Sequence, residues 1–273
     1  RVSPNADISA ARMASLASFI TKMPKNYVVM TTLSGACQRI PARATLKDSV
    51  FHAKVQSRVD EKVLRAFLVR MGFVQTPTVM EAGDYAIRGG ILDIFPPGDS
   101  GPIRLDFFGD TLDGIRQFDP ATQRTTKSLD SVELSPVSEV ILDEASIRRF
   151  RQNYRIEFGA AGTDDPLYEA VSAGKKYQGV EHWLPFFHQS METLFDYLPD
   201  ASVVLDDQSA GARLARWDSI ADQYDARKTA LEQKGRLDTV YKPAPPELLY
   251  LDDSARQQAL GARRVVSLSV LPQ

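Results

Sequence analysis

The chain is poor in the residue types that mark a disulfide framework or a structural metal site. It contains one cysteine, Cys37, and three histidines among 273 residues. A single cysteine excludes an internal disulfide, and scattered histidines with one cysteine argue against a structural zinc site. We therefore expect a protein stabilised by its buried core, which a chain of this length can readily form, and no bound metal.

The sequence also lacks any run of the roughly 18 apolar residues that a membrane span needs, and no charged-then-apolar signal segment opens it. Its formal net charge of -2 gives no electrostatic reason to expect nucleic acid or an anionic membrane as the main ligand. We expect a cytoplasmic protein. Because the chain begins at Arg1 rather than Met, directly before a predicted helix, we also expect it to be a piece of a longer protein.

Motifs for enzyme chemistry are missing as well. The phosphate loop G-x-x-x-x-G-K-[ST] is absent; the nearest approach, Gly174-Lys175-Lys176, lacks the first glycine and the hydroxyl after the lysine. Asp206 and Asp207 follow an apolar strand pattern, as a carboxylate that holds Mg²⁺ would. Without a phosphate loop they cannot act on ATP, so we predict a non-functional acidic pair, no catalytic residue and no cofactor.

An aromatic-rich segment at 179–190 is the other candidate for chemistry. His182 and His188 bracket Trp183, Phe186 and Phe187. A metal site would need further ligands at compatible spacing, and none is evident. We interpret the segment as buried core with both histidines at its edge.

Hydrophobic periodicity divides the chain into α/β flanks and a β-rich middle at about 78–134. Helical spacing predicts helices over about 7–22, 60–71, 143–158, 165–173 and 209–234. Continuous apolar runs predict buried strands at 27–31 and 201–205, and a last strand at 264–269. The simplest topology is an α/β domain formed by both chain ends, 1–50 and 137–273, interrupted by a β-rich α+β insert at 51–136.

Residues 84–126 are the most informative stretch, because short alternating segments there are bounded by glycine, proline and aspartate turn signals. In residues 103–108 the strand period of two places Arg104, Asp106 and Phe108 together on the solvent side. A phenylalanine in line with Arg and Asp is typical of an interface hot spot. Alternatively, a neighbouring loop or domain covers Phe108.

With both flanks laid out, the chain resembles the N-terminal, UvrB-like region of bacterial transcription-repair coupling factors. Several of its motifs are shared with UvrB, a component of the nucleotide excision repair nuclease. The resemblance covers nearly the whole chain and is most specific in the Arg-Gly…Asp-Ile-Phe-Pro element. The residues that carry it are Ser3-Pro4, Asp7-Ile8, 85–96, 104–108, 118–120 with 123–125, and 179–183.

The resemblance implies a protein-interaction module without ATPase activity of its own. In that family the insert docks UvrA, another component of the excision nuclease, and the matching residues here are Arg88, Arg104 and Phe108. Arg88 reaches their face by the same alternation, with Gly89-Gly90 expected to form a bulge. The flanking domain is implied to be a degenerate helicase-type (RecA-like) domain.

The family also implies where the remaining activities are found. The motor, the RNA polymerase contact and DNA translocation lie outside this chain, and a C-terminal domain of the full-length protein masks the docking surface. The competing interpretation is a DNA-binding or motor-like fragment, since the helicase ancestor handled DNA. A DNA binder should show a basic stripe and steep salt dependence, whereas this chain is slightly acidic.

Overall fold

A computed structural model describes residues 5–21, 23–160, 165–233 and 241–269, with the backbone alone at positions 6 and 7. Ser3 and Pro4, two of the residues that carry the resemblance, lie outside these ranges. The chain forms two compact units. The first comprises residues 1–23 and 44–144, and the second comprises 24–43 and 145–273. The architecture is mixed α/β with several sheets.

The elements follow in chain order. The helices are α1 (Ala6–Thr21), α2 (Leu33–Ala36), α3 (Arg43–Lys47), α4 (Glu61–Arg70), α5 (Glu144–Phe158), α6 (Pro166–Ser172), α7 (Leu194–Tyr197), α8 (Ser209–Glu232), α9 (Pro246–Leu249) and α10 (Asp253–Gly261), with a 3-10 helix at Val180–Phe186. The strands are β1 (Ile40–Pro41), β2 (Phe51–Lys54), β3 (Val74–Gln75), β4 (Asp84–Arg88), β5 (Ile91–Ile94), β6 (Ile103–Phe108), β7 (Thr111–Phe118), β8 (Thr125–Leu129), β9 (Ser131–Leu134), β10 (Met191–Glu192), β11 (Val203–Leu205) and β12 (Val265–Ser267). All five predicted helices are confirmed, with ends that differ by at most two residues.

The first unit is built on a six-stranded sheet with the order β3-β4-β5-β6-β7-β8. Neighbouring strands from β4 to β8 run antiparallel, and only β3 pairs parallel, with β4. The buried apolar residues of the inward face, such as Leu92, Ile94 and Leu105, pack in one core with Leu64 and Leu68 of α4. The β-rich middle predicted at 78–134 is confirmed. Its strands alternate apolar and polar residues, and the apolar side of each strand packs into this core.

Strand β7 carries a bulge that adjusts its register with β6. Asp106 pairs with Gly114, but Phe107 pairs with Leu112, so Asp113 is the extra residue on β7. Because the extra residue belongs to β7, the alternation along β6 continues without interruption. Phe107 therefore faces the core, and Phe108 points to the other side.

Two glycines form the turn that joins β4 to β5. The last paired residues are Arg88 and Ile91, so Gly89-Gly90 is a two-residue hairpin turn, and the bulge expected there is wrong. Gly89 has φ +59°, a conformation that L side chains rarely adopt. A Cβ at Gly90 would lie 2.9 Å from the carbonyl oxygen of Phe107, and the Phe107 amide donates to the Gly90 carbonyl at 2.8 Å. The hairpin tip therefore lies against the end of β6.

Helix α1 packs within the first unit. Its residues Met13, Leu16 and Ala17 are buried, and Arg12 forms an ion pair with Glu139 at 3.2 Å. The division into an α/β domain (1–50 and 137–273) and an insert (51–136) remains a prediction. The first compact unit contains α1 together with the six-stranded sheet, and this sheet lies within the predicted insert.

The second unit has an aromatic core. Phe150 stacks on Phe187 with 4.7 Å between ring centroids, and Trp183 is buried with its Nε1–H donating to the Lys242 carbonyl. The interpretation of the aromatic-rich segment as core is confirmed. His188 is itself 6% exposed, so the placement of both histidines at the edge is wrong for His188.

A buried polar cluster lies beside this aromatic core. The Tyr154 hydroxyl donates to Asp165 at 2.6 Å, and the Lys242 ammonium lies 3.3 Å from the same carboxylate. Burial is the largest cause that raises the pKa of Tyr154 well above its ordinary value, followed by this hydrogen bond. The tyrosine therefore stays protonated and holds Asp165 at the start of α6.

Two predicted buried strands differ from the structure. Residues 27–31 form no strand, and Val28 and Met30 are 88% and 92% exposed. The strand near 201–205 is present as β11, but among the described residues it pairs only with β12, in parallel, and Val204 is 59% exposed. An apolar run becomes a buried strand only where neighbouring elements cover it, and the described residues of the second unit do not cover these runs.

Candidate protein-docking face

Phe108 is the most exposed aromatic residue of the first unit. It is the last residue of β6, directly before the Gly109-Asp110 turn, and 84% of it is exposed. We call the side of the six-stranded sheet that carries Arg88, Asp93, Arg104, Asp106 and Phe108 the outward face. Within the described residues, no loop or domain covers Phe108, so the covered alternative is wrong for this structure.

Arg88 ends β4 on the same side of the sheet. Its side chain is 52% exposed, and its Nη2 donates to the Pro77 carbonyl at 3.3 Å. The same nitrogen lies 3.9 Å from the Asp93 carboxylate. From strand spacing and rise, the Cα atoms of Arg88 and Phe108 lie about 10 Å apart across the sheet and about 7 Å along it.

Arg104 differs from the other two predicted site residues because it is engaged inside the sheet. Its Nε and Nη2 donate to the two oxygens of Asp93 at 2.7 and 2.8 Å, and its guanidinium lies 4.7 Å from the centre of the Phe118 ring. The side chain is only 20% exposed. The hydrogen bonds to Asp93 raise the pKa of Arg104, although burial opposes them. Arg104 therefore lies on the predicted solvent side of β6, but most of its side chain is buried there by Asp93 and Phe118, unlike that of Phe108.

Asp93 is a residue of this face that sequence reasoning missed. It lies directly opposite Arg104 in the β5–β6 register, and its side chain is 2% exposed. A buried carboxylate needs paired charges, and Arg104 with Arg88 supplies them. The alternation of residues 91–94 gave a signal, because Asp93 falls opposite the apolar Leu92 and Ile94. The pairing register of β5 with β6 was needed to connect it to Arg104.

The predicted acidic pair lies in the second unit at the end of β11. Asp206 accepts a hydrogen bond from the Ser209 hydroxyl at the start of α8, and both Asp206 and Asp207 are exposed. Among the residues that the structure describes, no three His, Cys, Asp or Glu side chains lie together as a possible metal site. No helix in the described ranges is long and apolar enough to cross a membrane.

Comparison with known proteins gives a family match and several relatives. Residues 51–140 match the family model described as the UvrB interaction domain. A protein of Haemophilus influenzae named transcription-repair-coupling factor is 34% identical over 254 residues, which cover 92% of this chain and 21% of that protein. Proteins with the same name from Rickettsia prowazekii and Escherichia coli are 33% and 30% identical, over 98% and 91% of this chain.

The match therefore covers nearly all of this chain but only 21% to 24% of these relatives. The match to the family model includes the strands that carry Arg88, Asp93, Arg104 and Phe108, because these four residues fall inside 51–140. The chain is thus a homologue of a limited part of the transcription-repair-coupling factors, and its residues 51–140 match the UvrB interaction domain.

Proposed function

We propose that this chain is a protein-interaction module that recruits UvrA, a component of the excision nuclease, through the outward face. The observation that carries the proposal is the exposed Phe108 ring, which lies on the same face as the Arg88 guanidinium. An aromatic anchor with arginine beside it is the composition of an interface hot spot. In a full-length repair factor, the same contact would bring UvrA to stalled RNA polymerase.

The three predicted contact residues have different roles in this proposal. Phe108 enters an apolar pocket of UvrA, and Arg88, half exposed, binds a carboxylate at the rim of that pocket. Arg104 neutralises Asp93 and fixes the strands beneath the contact, while its remaining exposed edge is available to UvrA. The partner surface should therefore be apolar at its centre and acidic around it.

For the rest of the chain, we propose a degenerate, RecA-like α/β domain (1–50 and 137–273) around a UvrA-binding insert (51–136). The supporting features are the parallel pairing of β11 with β12, the acidic residues that follow β11, and the sequence without a phosphate loop. The motor activity belongs to parts of the full-length protein outside this chain. A C-terminal domain there covers the outward face at rest, which would shield Phe108 from water.

Calorimetric titration of UvrA with the 273-residue chain tests this proposal. We expect saturable binding that Arg88→Glu weakens strongly, because a reversed charge would face the acidic rim. Arg70→Glu is the control, since Arg70 is an exposed arginine at the end of α4, outside the outward face. Absence of binding by the intact chain, or equal loss with both variants, would contradict a docking site on this face.

A further inference from the structure

A second arginine–carboxylate pair lies on the outward face, beside Phe108. Arg116 of β7 donates from Nε and Nη2 to Oδ2 of Asp106, at 2.9 and 2.7 Å. The Arg116 side chain is 44% exposed and that of Asp106 is 23% exposed. Both donors share one carboxylate oxygen, so the pairing leaves Nη1 of the guanidinium outside these bonds. This pair is therefore much more open to a partner than the Arg104–Asp93 pair.

The register of β6 and β7 turns Arg116 toward the Phe108 end of the sheet. Arg116 lies opposite Arg104. Asp106 lies opposite Gly114 and is two residues closer to Phe108 along β6 than Arg104 is. The guanidinium reaches diagonally across to Asp106. The bulge at Asp113 separates this ion pair from the hairpin turn.

The charges of the face are arranged around β6. Arg88 on β4 lies to one side of the strand that ends in Phe108, and Arg116 on β7 lies to the other. Three arginines oppose two aspartates, and the aspartates are 2% and 23% exposed while Arg88 and Arg116 are about half exposed. A partner therefore meets two cations that flank one aromatic ring.

We propose that Arg116 is a second docking cation, so that the partner must carry acidic groups on both sides of the pocket that receives Phe108. This inference rests on the proposed docking of UvrA at the outward face. Asp106 holds the Arg116 guanidinium in place before binding, and a carboxylate of UvrA binds its open edge. The chemistry required of the partner is an apolar pocket between two acidic patches.

The test is calorimetric binding of purified UvrA to the 273-residue chain and its variants. We expect Arg116→Glu to weaken binding at least about tenfold, and Arg116→Gln to weaken it by a smaller factor. The matched control is Arg65→Glu on α4, where Arg65 pairs with Glu61 and has a similar side-chain exposure of 47%. This control should bind within about twofold of the unchanged chain.

A double variant separates direct contact from neutralisation of Asp106. In Asp106→Asn/Arg116→Gln no unpaired carboxylate remains beside Phe108, so a direct role of Arg116 predicts that the loss persists. Recovery of full affinity would overturn the proposal, as would an Arg116→Glu variant that binds normally while Phe108→Ala does not bind. If Phe108→Ala and Arg88→Glu also bind normally, the docking of UvrA at this face is the hypothesis that fails.

Discussion

Arg104 and Asp93 form a two-bond ion pair inside the outward face, at 2.7 and 2.8 Å, with the carboxylate 2% exposed. This pair separates the face into an inner, structural part and an outer part open to a partner. Phe108, Arg88 and Arg116 form the outer part. Variants of the two parts should therefore differ in stability as well as in binding.

Phe108→Ala should cost about 2 kcal/mol or more of binding to UvrA, because it removes the anchor at the centre of a desolvated contact. Arg88→Ala should cost a similar amount by leaving partner carboxylates unpaired. Stability should change by less than about 0.5 kcal/mol, since the Phe108 ring is exposed. Calorimetry with thermal melts measures both, and Val63→Ala, an exposed apolar change on α4, is the control. A sharply lowered melting temperature with intact binding would show that Phe108 is core.

Arg104→Ala should destabilise the first unit by roughly 3 kcal/mol, because it leaves the Asp93 carboxylate buried without its main partner. Asp93→Asn in the same chain should recover much of this loss by removing the buried charge. Urea denaturation followed by circular dichroism measures the difference, with Arg65→Ala as the exposed ion-pair control. Equal stability of Arg104→Ala and the unchanged chain would mean that the ion pair contributes little.

The second unit should lose stability as pH falls, in part through His182. Burial lowers the pKa of His182, so the folded protein takes up a proton on this ring only at a lower pH than the unfolded chain does. The unfolded chain binds the proton below a pH of about 6.5, so the contribution of His182 is complete above that value and decreases below it. Both tryptophans, Trp183 and Trp217, lie in this unit, so fluorescence melts at several pH values report on it. His182→Gln should flatten the dependence; an unchanged slope in this variant would contradict the assignment.

We expect at most weak, non-specific binding to duplex DNA, because the chain carries a formal net charge of -2. Fluorescence anisotropy with labelled duplex at about 0.15 M salt is the measurement. Submicromolar affinity that falls steeply with salt would favour the DNA-binding alternative over the docking module.

The chain should neither hydrolyse ATP nor bind it with millimolar or better affinity. No phosphate loop occurs in the sequence, and Asp206 accepts a hydrogen bond from Ser209 at the start of α8. A phosphate-release assay measures hydrolysis, and a titration with ATP measures binding. Turnover that Asp207→Ala abolishes would refute the prediction.

The sequence by itself determined the helices, the β-rich middle and the solvent side of β6, since periodicity depends only on local geometry. It placed Phe108 outward, and the structure agrees. Tertiary structure decided the pairing of strands and the burial of apolar runs, which periodicity cannot predict. The β5–β6 register placed Arg104 against Asp93, the β6–β7 register and its bulge turned Arg116 toward Asp106, and uncovered surroundings left Val28 and Met30 in solvent. Pairing between strands and burial of an apolar run depend on residues distant in the chain, so one segment's pattern does not fix them.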